Sequence, residues 1–231
     1  ADTVRAYQEA DLILLNGAGY AKWTAKVSLP RFKLVDTSRA FRDRYIHTEG
    51  PATHSHGPDG DHSHAGIAFT TWLDFTQAAQ QAKAITEALV RKRPELRSEL
   101  ERRVAELEED LMALENRLRA IVAGKPGQPL VASHPVYQYL ARRYGLNLQS
   151  LMWEPEEIPG ADQWHGLEQR LRDHPALWML WEDNPNPVSV QRLDTLGVGS
   201  LVFAPAGNRP AEGDFMTLMR RNLDNLEQAF R

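Results

Sequence analysis

Residues 130–146 read Leu-Val-Ala-Ser-His-Pro-Val-Tyr-Gln-Tyr-Leu-Ala-Arg-Arg-Tyr-Gly-Leu. The short apolar run Leu130-Val131-Ala132 reads as a strand, and residues 136–144 read as a helix. The same unit recurs downstream: strands at 150–153, 176–181 and 200–203, with helices at 163–173, 188–196 and 214–230. Strands and helices alternating at these lengths predict a parallel sheet covered by helices.

Upstream the pattern is similar but less regular. Residues 3–10 read as the end of a helix and lead into Leu12-Ile13-Leu14-Leu15, a buried strand that stops at the turn signal Asn16-Gly17-Ala18-Gly19. A strand at 33–36 and a helix at 37–45 follow. A helix at 75–90 is ended by Pro94, and a longer one runs from 95 to 123. On it, Leu96, Leu100, Val104, Leu107, Leu111, Leu114, Leu118 and Ile121 form one stripe, and pairs such as Glu99–Arg103 and Glu115–Arg119 lie on the opposite face. A coiled coil is the rival reading of that stripe, but it lasts only about four heptads. The segment 124–129 stops the helix and is a hinge candidate. The expected fold is α/β, with two lobes of mainly parallel sheet flanked by helices and joined by a long linking helix. The amino-terminal lobe covers 1–90, the linking helix 91–125 and the carboxy-terminal lobe 126–231.

Composition narrows the function. Hydrophobic content of 42% with 25% charged residues suits a packed globular core. A net charge of −4 offers no basic face for nucleic acid. The chain has no cysteine, which excludes disulfides, thiolate catalysis and cysteine-based zinc sites. No apolar run approaches the ~20 residues of a membrane helix, so no membrane insertion is expected. Nor does Ala1 open a signal-peptide pattern, which suits a mature or trimmed chain or one never exported.

Four of the eight histidines fall in one stretch, His54-Ser55-His56 and His62-Ser63-His64, within a Gly-, Pro- and Asp-rich segment at 48–66 that reads as a mobile loop. Imidazole is a good ligand for Zn²⁺, Cu²⁺ and Ni²⁺, and two His-x-His pairs with an Asp can complete a coordination shell. The competing reading is a solvated polar loop or a tag remnant, although tags are usually consecutive histidines at a terminus. Elsewhere, Glu182 and Asp183 end a strand, where open α/β sheets place ligands. Glu154 ends another and is the weaker candidate. His165 and His174 lie in a charged helical stretch and read as surface residues; His47 is a neutral case. Gly17-Ala18-Gly19 lacks the spacing of a dinucleotide-binding turn, and no nucleophile elbow or His-Glu-x-x-His helix occurs, so an enzyme is not expected.

Several of these pieces, in this order, resemble the zinc/manganese-binding solute-binding proteins of metal ABC transporters, the cluster A-I family. They are residues 10–17 (Ala-Asp-Leu-Ile-Leu-Leu-Asn-Gly), the internal His-rich loop, Thr71-Trp72-Leu73-Asp74, the long helix, residues 133–140 (Ser-His-Pro-Val-Tyr-Gln-Tyr-Leu) ending in Tyr144-Gly145-Leu146, and Gly213-Asp214-Phe215. The resemblance covers nearly the whole chain. It implies two α/β lobes bridged by a helix, with a metal held in the cleft by three histidines and a fourth ligand. It also implies a monomer, periplasmic or extracellular and anchored to the membrane in its precursor. Such a protein captures Zn²⁺, or Mn²⁺ or another divalent metal, and delivers it to an ABC-transporter permease.

In that pattern His134 matches the third histidine, and Glu182 stands where many members carry a carboxylate. The first histidine of the pattern falls ahead of Ala1, so the chain is expected to lack the usual amino-terminal segment. Thr70 occupies the place of the second histidine, and the late Asp falls near Ala204. Three accounts fit these departures: amino-terminal trimming, the loop bringing His62 or His64 to His134, or a cleft that has lost tight binding. The second is preferred, and the candidate metal ligands are His134, His54, His56, His62, His64 and Glu182. The rival functions are a metal-buffering chaperone that uses the loop alone and, behind it, a metal-dependent hydrolase.

Overall fold

The apolar run at 12–15 becomes strand β1 (Ile13–Leu15), which pairs in parallel with β2 (Leu34–Asp36) and places Ile13 opposite Leu34. In this computed structural model, residues 2–48, 53–55, 61–63 and 66–231 are described. The chain divides into two compact units, Ala1–Met112 and Ala113–Arg231.

In the first unit, helix α1 (Asp2–Glu9) precedes β1. Only Ile13 of β1 is buried at 2% exposure; Leu14 is 40% exposed, so this strand is covered on one face rather than two. The helix expected at 37–45 is a 3-10 helix at Arg39–Arg44, kinked at Phe41. Its α-helical start is pre-empted by local bonds: Thr37 Oγ1 donates to Leu15 O (3.0 Å), and Ser38 donates through N and Oγ to Asp36 Oδ1. Within the segment expected as a loop lie two antiparallel pairs, β3 (His47–Thr48) with β6 (Gly66–Ile67) and β4 (Thr53–Ser55) with β5 (Asp61–Ser63).

Helix α2 (Phe75–Lys92) starts at Asp74, whose side chain accepts from the Thr76 and Gln77 amides. From α2, the buried Gln81 donates to Asn16 O, Asn16 Oδ1 and Thr37 Oγ1 and accepts from Thr71 Oγ1. One glutamine thus ties the exits of β1 and β2 to α2.

Helix α3 (Arg97–Gly124) carries the chain from the first unit into the second. Its apolar stripe is unevenly buried: Leu111, Leu114, Leu118 and Ile121 are buried, whereas Leu107 is 36% exposed, and Leu96, expected on the same helix, lies in a 3-10 turn before it at 37% exposure. Both ion pairs read from the sequence form, Arg103–Glu99 at 2.6 Å and Arg119–Glu115 at 2.8 Å.

The second unit is built on one sheet. Strands β7 (Pro129–Ala132), β8 (Asn147–Ser150), β9 (Trp178–Trp181) and β10 (Gly199–Val202) lie in the order β10-β9-β7-β8, all parallel. Helices α4 (Gln138–Tyr144), α5 (Ala161–Asp173), α6 (Pro187–Thr195) and α7 (Phe215–Glu227) connect and follow them. Trp153, Trp164, Trp181, Met179, Leu167 and Leu193 form a core cluster with Val131 of the central strand.

Two sequence expectations shift here. The strand expected at 150–153 is β8, three residues earlier; it is an edge strand, so its polar Asn147, Gln149 and Ser150 fit a position where one side of the ladder is free. His174 is not a surface residue: it caps α5, is 6% exposed, and its Nε2 donates to Leu130 O at 2.9 Å. The histidine therefore fastens α5 to the start of the central strand.

Glu115 of α3 anchors α4. Its buried carboxylate accepts from Arg143 Nε (3.0 Å) and Nη2 (2.6 Å), Arg119 Nε (2.8 Å) and Tyr144 Oη (2.5 Å). Burial alone would raise its pKa, but the bonds from Arg143, Tyr144 and Arg119 outweigh that and hold it below the usual carboxylate value. A depressed acid stabilises the fold above its unfolded pKa, and the benefit disappears as pH falls through the folded one. Glu115→Ala leaves Arg143 and Tyr144 without their shared acceptor. The expected cost is about 3 kcal/mol at neutral pH, measured by urea unfolding.

Candidate metal centre

Three adjacent strands of the second unit each deliver one potential ligand just past their carboxyl ends. His134 follows β7, Glu154 follows β8 and Glu182 directly follows β9. Because the strands are parallel and neighbouring, their exits share one edge of the sheet, where ligands of open α/β sheets bind.

The backbone fixes these exits. Ser133 N donates to Leu180 O, Trp153 N to Ser133 O and Leu151 N to Ala132 O, each at 2.8 Å, so the ladder continues past the formal strand ends to the residues that flank the ligands. Buried Trp153 and Trp181 precede Glu154 and Glu182 and pack against each other, ring centroids 6.2 Å apart.

His134 Nδ1 lies 3.7 Å from Glu154 Oε1 and 3.9 Å from Glu182 Oε1. The side chain of His134 is 1% exposed, with Glu154 at 14% and Glu182 at 19%. One ligand atom from each residue lies within 4.8 Å of the others. The Glu182 pKa is pushed up to about 7, first by burial and then by Glu154, Glu156 and Asp183. Tyr137, whose hydroxyl donates to Phe203 O at 2.7 Å, is fully buried; burial and then Glu182 hold its pKa well above the ordinary phenol value. One imidazole and two carboxylates gathered on one sheet edge are of the donor types that bind divalent cations.

The structure therefore brings His134 and Glu182 together and adds Glu154, which the sequence marked as the weaker candidate. His54 and His62 are paired opposite each other in β4 and β5, while His56 and His64 lie outside the described residues. The expected approach of His62 or His64 to His134 also lies outside them. Thr70 is buried at 2%. The backbone of Ala204 is clamped from both sides, its N donating to Asn222 Oδ1 (3.1 Å) and its O accepting from Asn222 Nδ2 (2.7 Å). No side-chain donor replaces the late Asp at that position.

The family model described as ZnuA, zinc-uptake complex component A, periplasmic, matches residues 1–229. The chain belongs to this family. Membership of the ZnuA family as an uptake-complex component agrees with the expectation that the chain is not an enzyme. Among curated relatives, the zinc-binding protein AdcA of Streptococcus pyogenes serotype M3 is 24% identical over 189 residues, covering 78% of this chain and 36% of AdcA. The chain thus spans about a third of the length of the curated relatives it matches. Among solved structures, the metal-dependent lipoprotein YcdH of Bacillus subtilis superposes with a TM-score of 0.81 at 20% identity, covering 98% of this chain and 83% of YcdH. The Zn(II)-bound ZnuA-like domain of Streptococcus pneumoniae AdcA gives 0.80 at 19% identity, covering 99% and 83%. These likenesses place the chain in the ZnuA-like two-lobe fold.

The raised pKa of Glu182 has a stability consequence with a definite sign. An acid whose folded pKa lies above its unfolded value costs nothing at low pH. Its penalty grows between the unfolded value of about 4.3 and the folded value of about 7, and is constant above that. In metal-free protein at alkaline pH, Glu182→Gln is expected to stabilise the fold by about 3 kcal/mol, with the gain vanishing at acid pH. Urea unfolding at both extremes measures it.

Proposed function

We propose that this chain is an extracytoplasmic solute-binding protein that captures a divalent transition metal, zinc foremost, and delivers it to an ABC-transporter permease. The observation that carries this reading is the convergence of His134, Glu154 and Glu182 within 4.8 Å on the exit edge of one sheet. Membership of a zinc-uptake family supports it, as do the zinc-binding name of AdcA and the Zn(II)-bound state of its ZnuA-like domain. Among the described residues, no helix is long and apolar enough to cross a membrane.

In this reading the imidazole supplies the nitrogen donor and the two glutamates supply charge. Three protein ligands leave a coordination position for water or a further side chain, which suits a cargo that must later be released. The His-rich segment acts in the same capture as an auxiliary donor of imidazoles, with His54 and His62 set opposite each other in their strand pair. Protons compete for the same atoms, so acid weakens the hold on the metal.

Zinc titration followed by tryptophan fluorescence tests the reading, because Trp153 and Trp181 adjoin two of the ligands. His134→Ala and Glu182→Ala should each weaken binding by about 100-fold, the scale of losing one of three ligands (about 3 kcal/mol). Deleting residues 54–64 should leave the remaining high-affinity site. Loss of all binding on that deletion, with both substitutions silent, would establish the buffering chaperone instead. In the same assay affinity should fall between about pH 7.5 and about pH 5.5, since Glu182, at about 7, is protonated across that interval.

A further inference from the structure

Two carboxylates this close repel each other whenever no cation lies between them, and bonds between the loops that carry them oppose that repulsion. Glu154 is the fourth residue of the loop that leaves β8, and Glu182 opens the loop that leaves β9 for α6. Among the described residues, Asn186 hydrogen-bonds from one of these loops to the other. Asn186 lies four residues beyond Glu182, and its backbone N donates to Pro155 O at 2.7 Å. Its Nδ2 donates to Glu156 O at 3.2 Å, while its Oδ1 accepts from Val188 N at 3.0 Å and caps α6. Ser189 Oγ adds a longer contact to Glu157 O at 3.5 Å. The acceptors Pro155 and Glu156 are the two residues that follow Glu154.

We infer that Asn186 is a positioning residue for metal capture: its side chain bridges the two glutamate-bearing loops and holds Glu154 and Glu182 at cation-binding separation before the metal arrives. This rests on the reading of His134, Glu154 and Glu182 as the metal site. The two faces of the amide have separate tasks. The oxygen serves the helix, and the nitrogen serves the neighbouring loop. Preorganisation of this kind raises affinity because the metal need not supply the work of gathering its ligands.

The separation of tasks makes the inference testable. Ser and Asp both cap helices as well as Asn does, but neither offers an amide N–H to Glu156 O. Asn186→Ser removes the side-chain half of the bridge without adding charge and leaves the backbone bond from Asn186 N to Pro155 O in place. Asn186→Asp removes the same half but places a negative charge beside a cation site, which by Coulomb attraction alone would tighten binding. The expected result is that both variants bind zinc about fivefold more weakly, the scale of one partly exposed hydrogen bond, while their metal-free Tm stays close to native. Native affinity in Asn186→Ser, tighter binding in Asn186→Asp, or a loss of affinity that merely tracks a lower Tm would overturn the positioning role. Glu182→Ala, titrated alongside, separates the two levels: if it binds zinc like the native chain, the metal site itself is misassigned and the inference falls with it.

Discussion

The organising constraint is the confinement of two carboxylates and one imidazole on the exit edge of a four-stranded parallel sheet, all within 4.8 Å. Like charges so close, and largely withdrawn from water, are unfavourable without a cation, and the pKa of about 7 at Glu182 records that cost. Backbone bonds, aromatic packing and the Asn186 hydrogen bonds together keep them there. The hydrogen-bond ladder runs on through Ser133, Leu151 and Trp153, and the aromatic packing of Trp153 and Trp181 seats the residues immediately before each glutamate. A local conflict that the rest of the fold over-determines is the usual mark of a functional site. In the proposed reading, a divalent cation relieves it in place of the proton that Glu182 takes up near pH 7.

Much of the second unit is legible in the sequence because each repeat of strand and helix carries its own period. The ligands are separated by roughly one such repeat, at 134, 154 and 182, so no compact motif announces them. From residue types alone they can be found only by asking which residues stand at strand ends. That question picked out Glu182 in the sequence, whereas His134 came from the family resemblance. Glu154 was harder to weigh because its strand is at the sheet edge: Asn147, Gln149 and Ser150 do not resemble a buried strand, and the apolar Leu151 to Trp153 that follow attract the assignment.

Other residues misled for equally physical reasons. His174 closes a helix full of Arg, Asp and Glu, yet the cap position turns it inward to the carbonyl of Leu130. The segment after Asp36 has helical composition, but Thr37 and Ser38 spend their hydroxyls on Leu15 and Asp36 and draw the backbone into a tighter 3-10 turn. On α3 the heptad-like stripe is continuous in sequence, whereas burial is concentrated from Leu111 onward. Periodicity states which face is apolar; tertiary packing decides how far along it is covered.

The histidine-rich segment and the strand-end cluster are two different kinds of candidate metal site. The first is visible as composition, four imidazoles within a few residues. The second has only one histidine and depends on topology to assemble its acids. The decisive measurement is anomalous diffraction at the zinc absorption edge from crystals of the zinc-loaded chain. The account predicts a peak bonded to a nitrogen of His134 and to carboxylate oxygens of both Glu154 and Glu182. A fully loaded protein with its strongest peak elsewhere, and those three side chains bonded to no ion, would contradict it.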